Sequence, residues 1–138
     1  MNLETLKVTG TLNSLAVISK YIKTVCKTAK LDHYTAYKLR LAVDEIATNI
    51  IIHGYESSGI KGDLVFQFQI DQQALTISIE DTGILYNPLE QETPNDLEKP
   101  LEERKIGGLG IYLAIQSVDQ FLYERKGNIN RNILVINR

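Results

Sequence analysis

Three groups of residues in this chain have side chains and spacings that can do chemistry. Glu45, Asn49 and His53 recur at every fourth position within KLRLAVDEIATNIIIHGY, residues 38–55, which stacks them along one side of a helix. Asp81 and Gly83 close a run of alternating polarity as Asp-x-Gly. Gly107, Gly108 and Gly110 cluster in IGGLGIYLAIQSV, at the start of another helical stretch. The chemistries are complementary. An Asn carbonyl is a hard oxygen of the kind Mg²⁺ takes beside phosphate oxygens. Glu45, one turn away, could accept a proton from an attacking hydroxyl or water. Asp81 could accept the exocyclic amine of adenine, with Gly83 leaving room for the base. Glycines opening a helix let backbone N–H groups reach an anion at the positive helix end. Each group also has a plainer reading: a polar stripe at solvent, a turn-forming Asp-x-Gly, and a flexible junction.

The elements that must position these residues follow from periodicity. Residues 3–11 alternate weakly and predict a first strand. Asn13 or Ser14 can cap a helix to about Lys30 whose apolar face includes Leu15, Ile18, Ile22, Val25 and Ala29. Asp32 can cap a second helix, with Gly54 as a left-handed C-cap. Apolar residues spread round most of that helix, so it must be largely buried, and its polar stripe then faces either a wet cavity or solvent. Leu64, Phe66, Phe68 and Ile70 alternate with polar residues, as do Leu75, Ile77 and Ile79 after a turn at residues 71–73; the two runs predict a hairpin. The same parity turns Asp81 inward, which is costly for a carboxylate without a partner.

Periodicity then lapses over residues 85–104. All three prolines, Pro88, Pro94 and Pro100, fall there, with Glu90, Glu92, Asp96, Glu98, Glu102 and Glu103. A long nonperiodic loop is a functional lid or a solvated acidic insert. A helix to about Val118 follows, then strands over 121–126 and 132–137 joined by a turn at Gly127-Asn128. Strands and helices do not alternate regularly, which predicts an α+β fold with an antiparallel-rich sheet.

Bulk properties narrow the class. The 138 residues suit one domain, residues 1–138, with an ordinary 43% hydrophobic and 23% charged content. A net charge of −2 gives no basic surplus for nucleic acid. No apolar run spans a bilayer, and no signal peptide is visible. The single cysteine, Cys26, excludes an intrachain disulfide and reads as a small core residue. A cytoplasmic compartment fits. No P-loop or dinucleotide glycine fingerprint occurs, and His33 and His53 do not complete a zinc motif.

Taken together in order, LAVDEIATNIIIHGY, IEDTGILYNP and KIGGLGIYLAIQSVD resemble the three boxes of the Bergerat ATP-binding fold. The branch they are most similar to is the bacterial anti-sigma factor serine kinases. The resemblance covers nearly the whole chain. It implies a two-layer α/β sandwich, with a mixed, mostly antiparallel sheet and three helices on one face. It implies ATP and Mg²⁺ as ligands and a lid over about residues 85–106. Glu45 then matches the general base and Asn49 the Mg²⁺ ligand. Asp81 matches the adenine-binding carboxylate, with Gly83 beside it, and Asn87 a position near the nucleotide. Gly107, Gly108, Leu109 and Gly110 match the phosphate loop, with Arg104 and Lys105 as the basic pair beside it. Where relatives often carry Thr or Ser near adenine in the last strand, this chain offers Asn132.

The implied function is a serine/threonine protein kinase acting on a small anti-anti-sigma protein, with a sigma factor as a further partner and room for a homodimer. The alternative is a non-catalytic module that binds ATP to set its shape and sequester a partner. Glu45 favours the enzyme. The catalytic half of a two-component histidine kinase ranks last, since no upstream helical hairpin with a phosphorylatable His is present.

Overall fold

The computed structural model describes residues 5–90 and 108–138. Strand β1 (Leu6–Thr9) leads through a short 3₁₀ turn into helix α1 (Leu15–Thr28), followed by helix α2 (His33–Asn49). Strands β2 (Asp63–Ile70) and β3 (Ala74–Asp81) form the expected hairpin. Helix α3 (Gly108–Gln116) precedes a second hairpin of β4 (Gln120–Lys126) and β5 (Ile129–Asn137). The sheet order is β1-β2-β3-β5-β4, and all four ladders are antiparallel. β3 and β4 both run antiparallel to β5, so they are parallel to each other with β5 inserted between them. The sheet among the described residues is therefore antiparallel throughout rather than mixed.

One face of the sheet carries Leu64, Phe66, Leu75, Ile77, Ile79, Leu134 and Ile136, all buried in a single core with α1, α2 and α3. Tyr21 of α1 meets Phe66 and Phe68 edge-on, at centroid distances of 6.2 and 6.1 Å. The opposite face is polar and partly exposed. There Arg131 bridges Glu80 on β3 (2.7 Å) and Glu124 on β4 (2.9 Å). Three helices over one face of an antiparallel sheet is the α+β architecture anticipated from the chain order.

Two helix ends differ from expectation. Ser14 does not cap α1; its buried hydroxyl donates to the Thr9 carbonyl at 2.7 Å, tying the helix start to β1. Asp32 does cap α2, accepting from Thr35 N–H at 2.7 Å. Gly54 is not a left-handed C-cap. The α-helix passes at Asn49 into a π-helical segment, Ile50–Glu56, and Gly54 lies inside it. The cause is readable in the pattern. Buried pairs recur every four residues: Ala42/Val43, Ile46/Ala47, Ile50/Ile51, Gly54/Tyr55. On a regular helix a four-residue repeat drifts by about 40° per step. Widening the last turns to the π form takes up that drift and keeps Gly54 and Tyr55 against the core. Leu41, read as part of the apolar surround, is 48% exposed because it lies opposite these pairs.

Tyr55 then fixes the end of the hairpin. Its hydroxyl donates to the Asp63 carbonyl at 2.6 Å and accepts from Thr82 N–H at 2.8 Å. Its ring is packed so closely that a Cβ on Gly10 would lie 2.4 Å from it. Tyr55→Phe leaves both backbone groups unpaired beside the core, so it should lower stability by about 1–3 kcal/mol in denaturant unfolding. An unchanged midpoint would mean that water replaces the hydroxyl.

Candidate nucleotide site

The inward parity of β3 holds to its last residue. Asp81 is 4% exposed, beside Leu64 on β2 and Asn130 on β5. Its Oδ1 accepts from Gly83 N–H at 2.9 Å and from Asn130 Nδ2 at 3.0 Å. Burial pushes the Asp81 carboxyl above the usual range; the Asn130 amide, the Gly83 N–H and the charge of Arg125 pull against that rise. Gly83 passes so close to the π segment that a Cβ there would meet the Gly54 carbonyl oxygen at 2.7 Å. Only a glycine fits, because the obstacle is backbone.

Asp81 lines a cavity together with Ile46, Asn49, Ile50, Gly54, Ile84, Tyr86, Pro88, Ile111, Asn130 and Asn132. The polar stripe of α2 therefore divides. Asn49 reaches the cavity, whereas Glu45 and His53 are exposed. Glu45 extends to the first turn of α3, where a Cβ on Gly110 would fall 2.2 Å from its Oε2. Gly108 opens that helix. Asn132, which stands opposite Ile79 and Tyr123, is 2% exposed, and its Oδ1 has no hydrogen-bond partner among the described residues. An orphaned buried acceptor costs about 1–3 kcal/mol and marks a place where a donor is missing.

Asn87 is not among the cavity-lining residues; its Oδ1 accepts from Leu89 N–H at 2.9 Å and shapes the turn before Pro88. Arg104, Lys105 and Gly107, and the expected lid beyond residue 90, lie outside the described residues. Three contributors were missed in the sequence. Asn130 falls between the expected turn at Gly127-Asn128 and the expected strand from Asn132, yet it shares the inward parity of Asn132, Leu134 and Ile136. Tyr86 lines the cavity beside Asn49, and burial raises its phenol pKa, opposed by the Asn49 amide. Arg125 donates to the Asn130 side-chain oxygen Oδ1 at 3.0 Å, a contact that only the β4–β5 register reveals.

The cavity has a volume of about 10 Å³, room for a water but not for a purine. Its donors and acceptors suit a nucleobase, and its volume suits one only after Ile84, Tyr86 and Pro88 move away. No cluster of His, Cys, Asp or Glu among the described residues could hold a metal alone. Mg²⁺ does not need such a cage, since it binds through one or two protein oxygens plus phosphates.

The profile of the histidine kinase-like ATPase domain matches residues 8–136. The chain belongs to that family. Within the family it is similar to the serine-protein kinases RsbW of Bacillus thuringiensis and Bacillus cereus, 31% identical over 84 residues. That match spans 59% of this chain and 51% of theirs, so the chain covers about half the length of these curated relatives. The crystal structure of the RsbU and RsbW domains of a Mycobacterium tuberculosis protein superposes with a TM-score of 0.65 at 16% identity. It covers 99% of this chain and 33% of that one. The histidine kinase domain of the blue-light activated histidine kinase from Erythrobacter litoralis gives 0.50 at 18% identity, covering 90% and 59%. These likenesses bear out the family resemblance drawn from the three motifs and the fold it implied. No helix among the described residues is long and apolar enough to cross a membrane.

Burial makes the ionised form of Asp81 unfavourable. Because the folded-state pKa lies above the unfolded one, the folded chain takes up this proton first on acidification. The ionised carboxylate therefore costs stability above the folded pKa, and that cost disappears as pH falls through it. Asp81→Asn should melt at or above the wild-type temperature at about pH 8, with the difference shrinking toward about pH 4. A lower melting temperature throughout would show that hydrogen bonds to the charged form outweigh its burial.

Proposed function

We propose that this chain is an ATP-dependent serine/threonine protein kinase of a partner-switching system. Its protein substrate is a small anti-anti-sigma protein, and a sigma factor is the partner released or retained. The observation that carries this is the meeting of the three motifs. Asp81 and Asn132 line the cavity that Asn49 reaches, and Glu45 lies against the start of α3. The RsbW relatives, named as serine-protein kinases, support the choice of activity.

In this reading Asp81 and Asn132 hold the adenine, and the backbone at Gly108 and Gly110 faces the phosphates. Mg²⁺, when bound at Asn49, neutralises phosphate charge and aligns the transferring group. The partner's Ser or Thr oxygen attacks the γ-phosphorus, the bond to the β–γ bridging oxygen breaks, and ADP departs. Glu45, exposed to an incoming protein, takes the hydroxyl proton. Residues 85–106 act as the lid that closes over the nucleotide, continuing from the segment that must move for entry.

A second reading has one observation in its favour. The cavity of about 10 Å³ is too small for a purine, so nucleotide binding must displace some of its lining, as an ATP-gated binding module requires. The two separate on the roles of Glu45 and Asn49. Glu45→Gln keeps the shape and removes the base, so phosphate transfer should fall by about 10²–10⁴-fold with ATP affinity preserved. Asn49→Ala should impair both. Labelled ATP incubated with candidate anti-anti-sigma proteins from the same genome, beside an ATP titration, reads the two effects apart. Wild-type protein that binds such a partner only with ATP, yet never modifies it, would exclude the kinase and favour the gated module.

A further inference from the structure

The hydrogen bonds around Asp81 leave its two carboxylate oxygens unequal. Oδ1 accepts two N–H groups, from Gly83 and from Asn130. Among the described residues Oδ2 accepts none, and Asp81 borders the cavity. The inequality depends on which way the Asn130 amide points, and that is fixed. Asn130 Oδ1 accepts from Arg125 Nη1 at 3.0 Å and from the Tyr123 hydroxyl. Asn130 Nδ2 also donates to the Ile84 carbonyl at 3.0 Å. Turning the amide over would set its NH₂ against the Arg125 guanidinium and its oxygen against a carbonyl and a carboxylate. The strand register makes the arrangement continuous: Arg125 stands opposite Asn130, and Asn130 opposite Asp81, in one row across β4, β5 and β3.

We propose that Asn130, its amide locked by Arg125 and Tyr123, is a positioning residue that commits one oxygen of Asp81 to the protein and leaves the other for the nucleobase. The proposal rests on the reading of Asp81 as the nucleobase acceptor. Asn130 touches the carboxylate, and Arg125 acts through Asn130. The functional consequence is selectivity. A carboxylate whose free oxygen is fixed accepts from an exocyclic amine and repels a carbonyl at the same place. One that can swivel meets either with less difference. The row therefore sharpens the choice of a 6-amino over a 6-oxo purine.

ATP and ITP differ at that position, which makes them the probes. Calorimetric dissociation constants for both, with Mg²⁺, are measured on the wild type, Asn130→Ala, Arg125→Met and the double variant. Circular dichroism checks the fold, and Arg125, an exposed side chain, supplies a variant that should fold if Asn130→Ala does not. The wild type should prefer ATP by at least about tenfold. Each single variant should lose most of that preference, mainly through weaker ATP binding. The double variant should keep the same ATP-over-ITP preference as Asn130→Ala, because Arg125 orients the carboxylate only through that amide, although its charge also acts on Asp81 directly. If the variants weaken ATP and ITP by the same factor and the preference survives, Asn130 merely packs the site and the proposal is overturned. A wild type that binds both alike gives a different pattern: the nucleobase role of Asp81 fails, and the proposal falls with it.

Discussion

A carboxylate on the apolar face of a sheet is the constraint around which this molecule is arranged. Asp81 sits where parity calls for another Ile, and burial there works against its charge. Every element nearby contributes to holding it. β5 supplies the Asn130 amide, β4 the Arg125 charge, and the turn after β3 the Gly83 N–H. The turn can make that contact only because Gly83 and Gly54 pass within backbone contact. Gly54 is there only because the helix widens after Asn49. Tyr55, the next residue, takes Thr82 N–H onto its hydroxyl and fixes the strand end from the other side. A polar group in low dielectric is tolerated when its network is complete on one side; here the open side is the cavity.

The sheet's outer face meets a different requirement. Solvent covers it, so charge pairs such as Arg131 with Glu80 and Glu124 satisfy themselves at little cost and carry no comparable constraint. The two faces of β3 and β5 thus place polar residues for opposite reasons. Outward ones are solvated, and inward ones need a partner. Asn132 is the inward residue whose acceptor has none among the described residues. That asymmetry, rather than the number of polar residues, marks the site.

Much of this was legible in the sequence. Strict alternation gave the β2–β3 hairpin and turned Asp81 inward, because a half-buried strand reports its two faces residue by residue. Asp32 was readable as a cap because its geometry is local. The failures share a cause: a nonlocal fit overrode a local preference. Gly54 has the composition of a helix stop, yet core packing of pairs spaced four apart carried the helix through it. Gly127-Asn128-Ile129-Asn130 has the composition of a turn, and the turn proper is short, with Gly127 at φ 63°. β5 therefore begins at Ile129, three residues earlier than expected, and Asn130 joins the core face. Applying to the last strand the parity argument that exposed Asp81 would have found it. Ser14 met a backbone carbonyl across β1 that no local rule foresees.

The closed cavity links recognition to motion. Asp81 Oδ2 and Asn132 Oδ1 both have spare acceptor capacity, both belong to residues lining the same space, and that space admits only a water. An occupant able to satisfy both must enlarge it, and the parts in the way are Ile84, Tyr86 and Pro88. One attachment opposes that movement: the Asn130 amide on the Ile84 carbonyl. A ligand can shift this equilibrium only by the difference in its affinity for the open and closed forms. The acceptors left unsatisfied in the closed form are where that difference originates, since filling them recovers what their burial cost. The Ile84 attachment starts from the residue that orients Asp81, so the same amide restrains the loop and prepares the acceptor. A base that replaces the lost contacts with its own donors opens the site; one that presents a carbonyl to Asp81 has nothing to offset them.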